Sequence, residues 1–231
     1  MRTNLVVSTI ASSALTFAAC GGGGGGGPSS DPVDAAAAPD ARASPDGGGS
    51  NVDAAPAACT APASFGDVGA LAAQAIFVPD VNEGTDDGAT DDLLVMFAPL
   101  DGGESPDVIE LRLYAGYGAF AGGAIRTGTF ELTGAELDLL ECGICAGILT
   151  DATAEAYADD YLPTGGTLEL TAVGTAAGQT LTGRLSNVTF RHVIIDEEGN
   201  TMPAGDTCES TLTAATFSAT LEMAPGGREG R

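Results

Sequence analysis

Five cysteines are the residues of this sequence with the most specific chemistry: Cys20, Cys59, Cys142, Cys145 and Cys208. An odd number normally leaves one thiol unpaired. Cys20 differs from the other four because it directly follows a short apolar segment near the start of the chain. If Cys20 carries a modification other than a disulfide, four cysteines remain. In an oxidising compartment these four predict two disulfides.

The four remaining cysteines can pair in three ways. We favour Cys59–Cys208 with Cys142–Cys145, since Cys59 opens the predicted domain and Cys208 precedes its last predicted strand. The CGIC motif at 142–145 is also typical of thiol-disulfide enzymes, in which the first cysteine begins a helix. Here the residues after the motif predict a turn that enters a strand, so we expect a structural disulfide, with redox activity as the alternative.

The densest charge of the sequence lies at residues 80–92, which read DVNEGTDDGATDD. Carboxylate and amide oxygens are the ligands that calcium prefers. Four residues here have a spacing similar to that of a calcium loop: Asp80, Asn82, Asp86 and Asp91. The pattern fails at its invariant glycine, where Thr85 stands. A solvated acidic hairpin tip is therefore the first interpretation, and weak calcium binding is the alternative; no other cofactor is predicted.

His192 is the single histidine and alternates in phase with Val188, Phe190 and Ile194. This periodicity predicts a structural imidazole in the core or at its margin. A catalytic imidazole needs a positioned serine or acid, and the chain has no nucleophile-elbow motif, so no catalytic residue is predicted. Five aromatic residues give the alternative of a sugar-stacking surface on loops: Tyr114, Tyr117, Phe120, Tyr157 and Tyr161.

Charge and composition exclude several classes of function. The chain of 231 residues has Lys+Arg 8, all of them arginine, against Asp+Glu 32, which gives a formal net charge of −24. Without lysine there is no P-loop lysine and no Schiff base, and the acidic surface has no electrostatic footprint for nucleic acid. A single histidine excludes multi-histidine zinc sites. No apolar run reaches the roughly 18 residues that a membrane-spanning helix needs.

The start of the chain has the layout of an export signal. An arginine precedes an uncharged, mostly apolar stretch over 5–19, and small residues lead directly to Cys20. The run LTFAAC at 15–20 resembles the lipobox of bacterial lipoproteins, although Phe17 stands where that family prefers Leu, Val or Ile. The resemblance implies a signal peptide over residues 1–19 and a lipid attached to Cys20.

Residues 20–58 predict a disordered tether. Seven consecutive glycines at 21–27 are followed by Pro, Ala, Asp, Ser and Gly, which bury too little apolar surface to offset the entropy of ordering. The layout resembles uncharacterised lipoproteins of myxobacterial type, in which such a tether precedes one globular domain. The resemblance implies attachment to the membrane through the lipid. Because Gly21 rather than Asp follows the cysteine, it also implies an outer-membrane location, with the periplasmic or surface face undetermined.

Residues 59–223 predict one domain, followed by a disordered tail at 224–231. Eight candidate strands alternate apolar and polar residues or form short apolar runs: 72–78, 93–98, 108–115, 128–133, 144–150, 167–174, 181–195 and 211–222. Residues 151–161 are the one plausible helical turn, and phase slips at 186–187 and 215 predict β-bulges. Many short strands with almost no helix predict an all-β fold, either an antiparallel β-sandwich or a jelly roll.

The sequence predicts no reaction, and three functions stay open. The first is a non-enzymatic structural or interaction domain of the cell envelope, anchored by its lipid. The second is a polysaccharide-binding or adhesion module that uses calcium or aromatic rings. The third is a periplasmic thiol-disulfide protein that uses Cys142 and Cys145. The expected partners are the membrane and either a polysaccharide or an envelope protein, not nucleic acid.

Overall fold

A computed structural model describes residues 58–79 and 92–224, and within them the fold is all-β. There are ten strands: β1 (Ser64–Ala70), β2 (Gln74–Val78), β3 (Leu93–Pro99), β4 (Val108–Tyr114), β5 (Gly128–Glu131), β6 (Ile144–Leu149), β7 (Asp160–Ala172), β8 (Thr180–Ile195), β9 (Thr201–Pro203) and β10 (Glu209–Met223). Two short 3-10 helices, Gly118–Phe120 and Gly134–Leu137, lie between them. The predicted all-β, sandwich-like fold is confirmed.

The hydrogen-bonded pairing of the strands returns on itself. Within the described part of the chain, seven strands follow one another in the order β2-β3-β4-β6-β7-β8-β10, and β10 pairs again with β2. β8 lies along one edge of β10, while β1 and then β2 lie along its other edge. Most pairs are antiparallel, as predicted, but β10 runs parallel to both β1 and β2, so the sheet is mixed.

The core follows the predicted alternation of apolar side chains. Ile109, Leu111 and Leu113 of β4 are completely buried, whereas Arg112 and Tyr114 between and after them are only partly buried. β3, predicted to be buried on both sides, has four consecutive buried residues from its first position. Each large side chain buried in this way stabilises the fold by about 1.5–3 kcal/mol.

Three local predictions differ from the structure. The helical turn expected at 151–161 is absent, because residues 151–159 form turns and bends and β7 already begins at Asp160. β1 and β9 lie outside the eight predicted strands. β1 contains two glycines with positive φ, and β9 has only three residues and ends at Pro203, so neither has a local strand signal.

The predicted phase slips are present, but they do not interrupt the longest pairing. The buried face of β8 changes at 186–187 and that of β10 changes at 214–215. Ser186 pairs with Ala214, so the two changes lie opposite each other and the β8–β10 register is continuous. The irregularities fall instead on the β7–β8 and β1–β10 pairs, and Asn187 takes a positive φ of 50°.

The structure forms both disulfides of the favoured pairing. Cys59 and Cys208 have Cα atoms 5.5 Å apart and are separated by 149 residues, so the bond joins the beginning of the domain to the start of its last strand. Cys142 and Cys145 have Cα atoms 5.4 Å apart and are separated by three residues, at the entrance to β6.

Candidate functional site

Two sets of predicted site residues lie outside the described residues. One is Cys20, the predicted lipidation site, together with the signal and tether around it. The other is the set of four candidate calcium ligands: Asp80, Asn82, Asp86 and Asp91. Both therefore stay predictions. In the described ranges no helix has the length and apolar character to cross a membrane.

His192 lies between two carboxylates. Its Nδ1 is 2.6 Å from Asp206 Oδ2, and its Nε2 is 3.3 Å from Asp159 Oδ1. The imidazole stacks on the ring of Tyr161, with the centroids 5.2 Å apart. Hydrogen bonds from the Cys208 backbone N–H and from His192 hold the pKa of Asp206 below its usual range. The side chain of His192 is only 17% exposed, so its predicted position at the margin of the core is confirmed.

The groups around His192 do not make a metal centre. His192, Asp206 and Cys208 have potential ligand atoms within 4.8 Å of one another, but the Cys208 sulfur is bonded to Cys59 and offers no thiolate. Asp206 and Asp159 contact opposite nitrogens of the imidazole, so both carboxylates cannot join it on one ion. The arrangement instead ties β8 to the disulfide at the start of β10.

The disulfide between Cys142 and Cys145 is buried, with exposures of 1% and 5%. Because thiol-disulfide exchange requires access to a sulfur, this burial opposes reaction with a protein substrate. Glu136 is buried beside the same loop.

Glu136 organises the backbone around this disulfide. Its carboxylate oxygens accept hydrogen bonds from the backbone N–H groups of Ala119 and Ile144, each with an N···O distance of 2.5 Å. They also accept one from the backbone N–H of Gly143. Burial raises the pKa of Glu136, although the three hydrogen bonds act to lower it. Gly118 is required here, because a Cβ on it would collide with the Glu136 carboxylate. One side chain thus connects the loop after β4 to the first residues of β6.

Five polar and aromatic residues meet on the side of the sheet that faces away from the core. We name this set the face cluster: Glu110, Arg112, Tyr114, Tyr157 and Asp160. The first three alternate along β4 with the buried core residues. Asp160 begins β7, two strands away from β4 in the sheet, and Tyr157 lies just before it in the chain.

The charges of the face cluster are coupled to one another. Arg112 Nε lies 2.9 Å from Glu110 Oε1, and Glu110 is itself 9% exposed. Burial raises the pKa of Asp160, a hydrogen bond from the Tyr157 phenol lowers it, and the charge of Glu110 raises it again; the net shift is upward. Tyr157 is 48% exposed. The cluster therefore combines carboxylate acceptors, a guanidinium donor and an exposed ring, which are the groups that bind a hydroxyl-rich ligand.

The five aromatic residues proposed as one sugar-stacking surface do not form it. Phe120 and Tyr161 are buried, at 0% and 1% exposure, because Phe120 packs on another ring and Tyr161 points inward from β7. Tyr114 and Tyr157 belong to the face cluster, and the ring of Tyr117 packs edge-on against Tyr114 at 6.3 Å. The prediction is wrong for the two buried rings.

Several residues of these sites were not predicted as site residues from the sequence. Glu110 and Arg112 could have been found, since opposite charges two residues apart on a strand share a face. The adjacent pair Asp159 and Asp160 was noted, and the expectation that the two diverge agrees with their separate partners, His192 and Tyr157. For Glu136 no local pattern distinguishes it from the solvated acidic residues around it.

Comparison of the chain with protein-family models, with curated proteins and with solved structures finds no match.

Proposed function

We propose that this chain is a lipid-anchored protein of the cell envelope, held at the outer membrane through Cys20, whose β-sandwich is a non-enzymatic binding module. The observation that carries the binding role is the face cluster, where five polar and aromatic residues converge on one side of the sheet. The anchor rests on the lipobox-like run at 15–20. The described domain begins next to Cys59, so a tether would reach it at a point held by the Cys59–Cys208 disulfide.

The partner that fits the face cluster best is a neutral polysaccharide. Carboxylates of Glu110 and Asp160 accept hydrogen bonds from sugar hydroxyls, the guanidinium of Arg112 donates them, and the ring of Tyr157 packs on the C–H face of a sugar. The formal net charge of −24 repels anionic glycans, which favours a neutral chain. An envelope protein is the other partner class for the same face.

Replacing Cys20 with alanine should release the protein from the membrane into the soluble periplasmic fraction. Two or three acyl chains anchor a protein stably, and an acidic chain without them is repelled by anionic headgroups. Cell fractionation with and without detergent measures the effect. The matched control is Cys145→Ser, which retains the predicted lipid and should stay with the membrane. A Cys20→Ala protein that still needs detergent would place the anchor elsewhere.

Replacing Tyr157 with alanine should weaken binding to a neutral glycan by about tenfold, because an exposed ring on a sugar contributes on the order of 1 kcal/mol or more. Binding is measured with the full chain on a panel of immobilised neutral and anionic polysaccharides. Ile194→Ala is the matched control, since Ile194 is also a large exposed apolar residue, at 51%, and is not part of the face cluster.

The same assay separates the alternatives. Equal loss with Ile194→Ala and Tyr157→Ala would reject the face cluster as the binding site. Binding that disappears with a chelator would assign the ligand to the acidic segment at 80–92 and its candidate calcium residues. Release of new sugar ends during the assay would overturn the non-enzymatic part of the proposal.

The thiol-disulfide function is the weakest of the three candidates. The burial of Cys142 and Cys145 opposes an exposed thiolate. Thiol titration of the native and the denatured protein without reductant should detect no free thiol. Two native thiols that react below neutral pH would restore the redox function.

A further inference from the structure

The Cys59–Cys208 disulfide lies beside His192, and the chemistry of this group depends on whether the bond is intact. Potential ligand atoms of His192, Asp206 and Cys208 all lie within 4.8 Å of one another, and the sulfur of Cys59 is bonded to that of Cys208. We name these four residues the disulfide–histidine site. While the bond is intact, the site offers one nitrogen and one carboxylate, which are too few ligands for a structural metal ion.

Of the two disulfides in the described residues, Cys59–Cys208 has the more accessible end, since Cys59 is exposed while Cys142 and Cys145 are buried. A dithiol reductant opens it in two steps: one thiolate attacks the Cys59 sulfur and releases Cys208, and the second thiol then releases Cys59. The reductant leaves as a disulfide. Its two electrons reduce the two sulfurs, and its two protons go to the cysteines, or to solvent once a metal ion binds both sulfurs as thiolates.

Reduction turns the disulfide–histidine site into four ligands of the kinds that zinc prefers: two thiolates, one imidazole nitrogen and one carboxylate oxygen. Around a tetrahedral zinc ion, with bonds of about 2.0–2.3 Å, neighbouring ligand atoms lie about 3.3–3.8 Å apart. Nδ1 of His192 is 2.6 Å from Asp206 Oδ2, so these two atoms have to separate slightly. The Cys208 sulfur lies within 4.8 Å of both, so it has to approach them by about 1 Å at most.

The imidazole of His192 is already held as metal-binding histidines are. Its Nε2 is 3.3 Å from Asp159 Oδ1, and the other oxygen of Asp159 accepts a hydrogen bond of 2.8 Å from the Thr60 hydroxyl. A metal-bound histidine usually donates its second N–H to a carboxylate, which orients the first nitrogen toward the metal. Asp206 is oriented in the same way, because its Oδ1 accepts the backbone N–H of Cys208 at 3.0 Å.

Non-covalent contacts keep Cys59 in place when its disulfide opens. The next residue, Thr60, donates to Asp159, and the backbone N–H of Ala61 donates to the Tyr161 phenol at 3.4 Å. Ala61 is buried, and β1 begins three residues later and pairs with β10. The two thiols therefore stay close to each other and to His192.

We propose that the reduced protein binds one zinc ion at the disulfide–histidine site, through Cys59, Cys208, His192 and Asp206, with Asp159 as the carboxylate behind the imidazole. The bond and the ion then join the same two points of the fold in alternation, one in oxidising and the other in reducing conditions. The formal net charge of −24 favours a divalent cation. The site goes beyond the proposed glycan binding by the face cluster and does not depend on it.

Zinc is the probe, added to the full-length chain in its oxidised form and after reduction with a phosphine, which adds no competing thiol. The reduced protein should bind one zinc ion in competition with a chelator, and the ion should raise its denaturation midpoint. The oxidised protein should show neither effect. Cobalt in place of zinc should give the thiolate charge-transfer and tetrahedral absorption bands that carboxylates alone do not produce.

Variants identify the ligands in the reduced protein. His192→Gln and Asp206→Asn each remove a ligand and should weaken zinc binding by at least about tenfold, and Asp159→Asn should weaken it by about tenfold. The matched control is Asp67→Asn, because Asp67 is exposed and its Oδ1 also accepts the backbone N–H two residues later, at 3.0 Å. It should change binding by less than about twofold.

The remaining pair of cysteines provides a second control. A protein with both Cys142→Ser and Cys145→Ser should still bind one zinc ion when reduced, and loss of the ion in this variant would assign it to the CGIC loop instead. Equal binding before and after reduction would assign the ion to carboxylates, and equal losses in Asp206→Asn and Asp67→Asn would show an effect of overall charge. If reduction unfolds the chain, zinc should refold it, and a reduced chain that zinc does not refold would overturn the proposal.

Discussion

Replacing Cys208 with serine is expected to lower the free energy of unfolding by about 5 kcal/mol, whereas Cys145→Ser should lower it by only about 1–2 kcal/mol. In the chain-entropy model the stabilisation grows with the length of the loop that a disulfide closes. The two bonds here close loops with sequence separations of 149 and 3 residues. Because ordinary domains are stable by about 5–15 kcal/mol, the first loss removes a large part of the total. Denaturant unfolding without reductant measures both variants.

A double variant, Cys59→Ser with Cys208→Ser, is the control that removes the same bond without leaving a free thiol. It should match Cys208→Ser in stability, and excess reductant, which also opens Cys142–Cys145, should lower the stability of the wild-type protein by about 1–2 kcal/mol more. Equal losses in Cys208→Ser and Cys145→Ser would contradict the pairing seen in the structure, because the two loops could not then differ in length.

Replacing Glu136 with alanine is expected to cost about 3 kcal/mol or more in the free energy of unfolding. The change leaves the backbone N–H groups of Ala119, Gly143 and Ile144 without their acceptor, and each buried, unsatisfied group costs about 1–3 kcal/mol. The matched control is Glu141→Ala, an exposed glutamate of the same segment, which should change stability by less than about 0.5 kcal/mol. A small effect of Glu136→Ala would show that the loop finds other acceptors.

Comparing the wild type with Glu136→Gln should reveal a pH dependence of the free energy of unfolding. Its sign follows from the raised pKa of Glu136. Burial raises the pKa of Glu136 above its ordinary value of 4.5. A group whose pKa is raised by folding stabilises the native state fully below its unfolded pKa, and this contribution is lost as the pH rises through the raised pKa. The stability advantage of the wild type over Glu136→Gln should therefore be largest below pH 4.5 and shrink toward neutral pH.

The sequence predicts those parts of the fold in which the local pattern and the burial agree. β4, β8 and the end of β10 alternate apolar and polar residues with a period of two, and each is a strand in the structure. β1 and β9 are held by their pairing with β10 and β8 rather than by their own propensity. Their partners are distant in sequence or the strand is very short, so the residues themselves show no strand signal.

The candidate sites are predictable only where one element supplies the whole signal. Glu110 and Arg112 share a face of β4, which the strand period alone indicates. Asp160 joins them only because β6 lies between β4 and β7 in the sheet, an order that no local pattern determines. The position of His192 follows from the phase of β8, but its partners Asp159 and Asp206 come from a turn and a loop that the sequence does not bring together.

The two disulfides also differ in the moment at which each can form as a chain emerges from its amino terminus. Cys142 and Cys145 can join as soon as their segment is exposed, while Cys59 has to wait for Cys208, 149 residues behind it. Early closure of the short ring removes two wrong partners for Cys59, so the buried CGIC loop also acts as a safeguard against mispairing. The sheet is completed equally late, because β1 and β2 can pair with their parallel neighbour β10 only after this last strand has been made. Until then the growing chain has unpaired strand edges and an open thiol, which are the features that expose an incomplete domain to aggregation and mispairing.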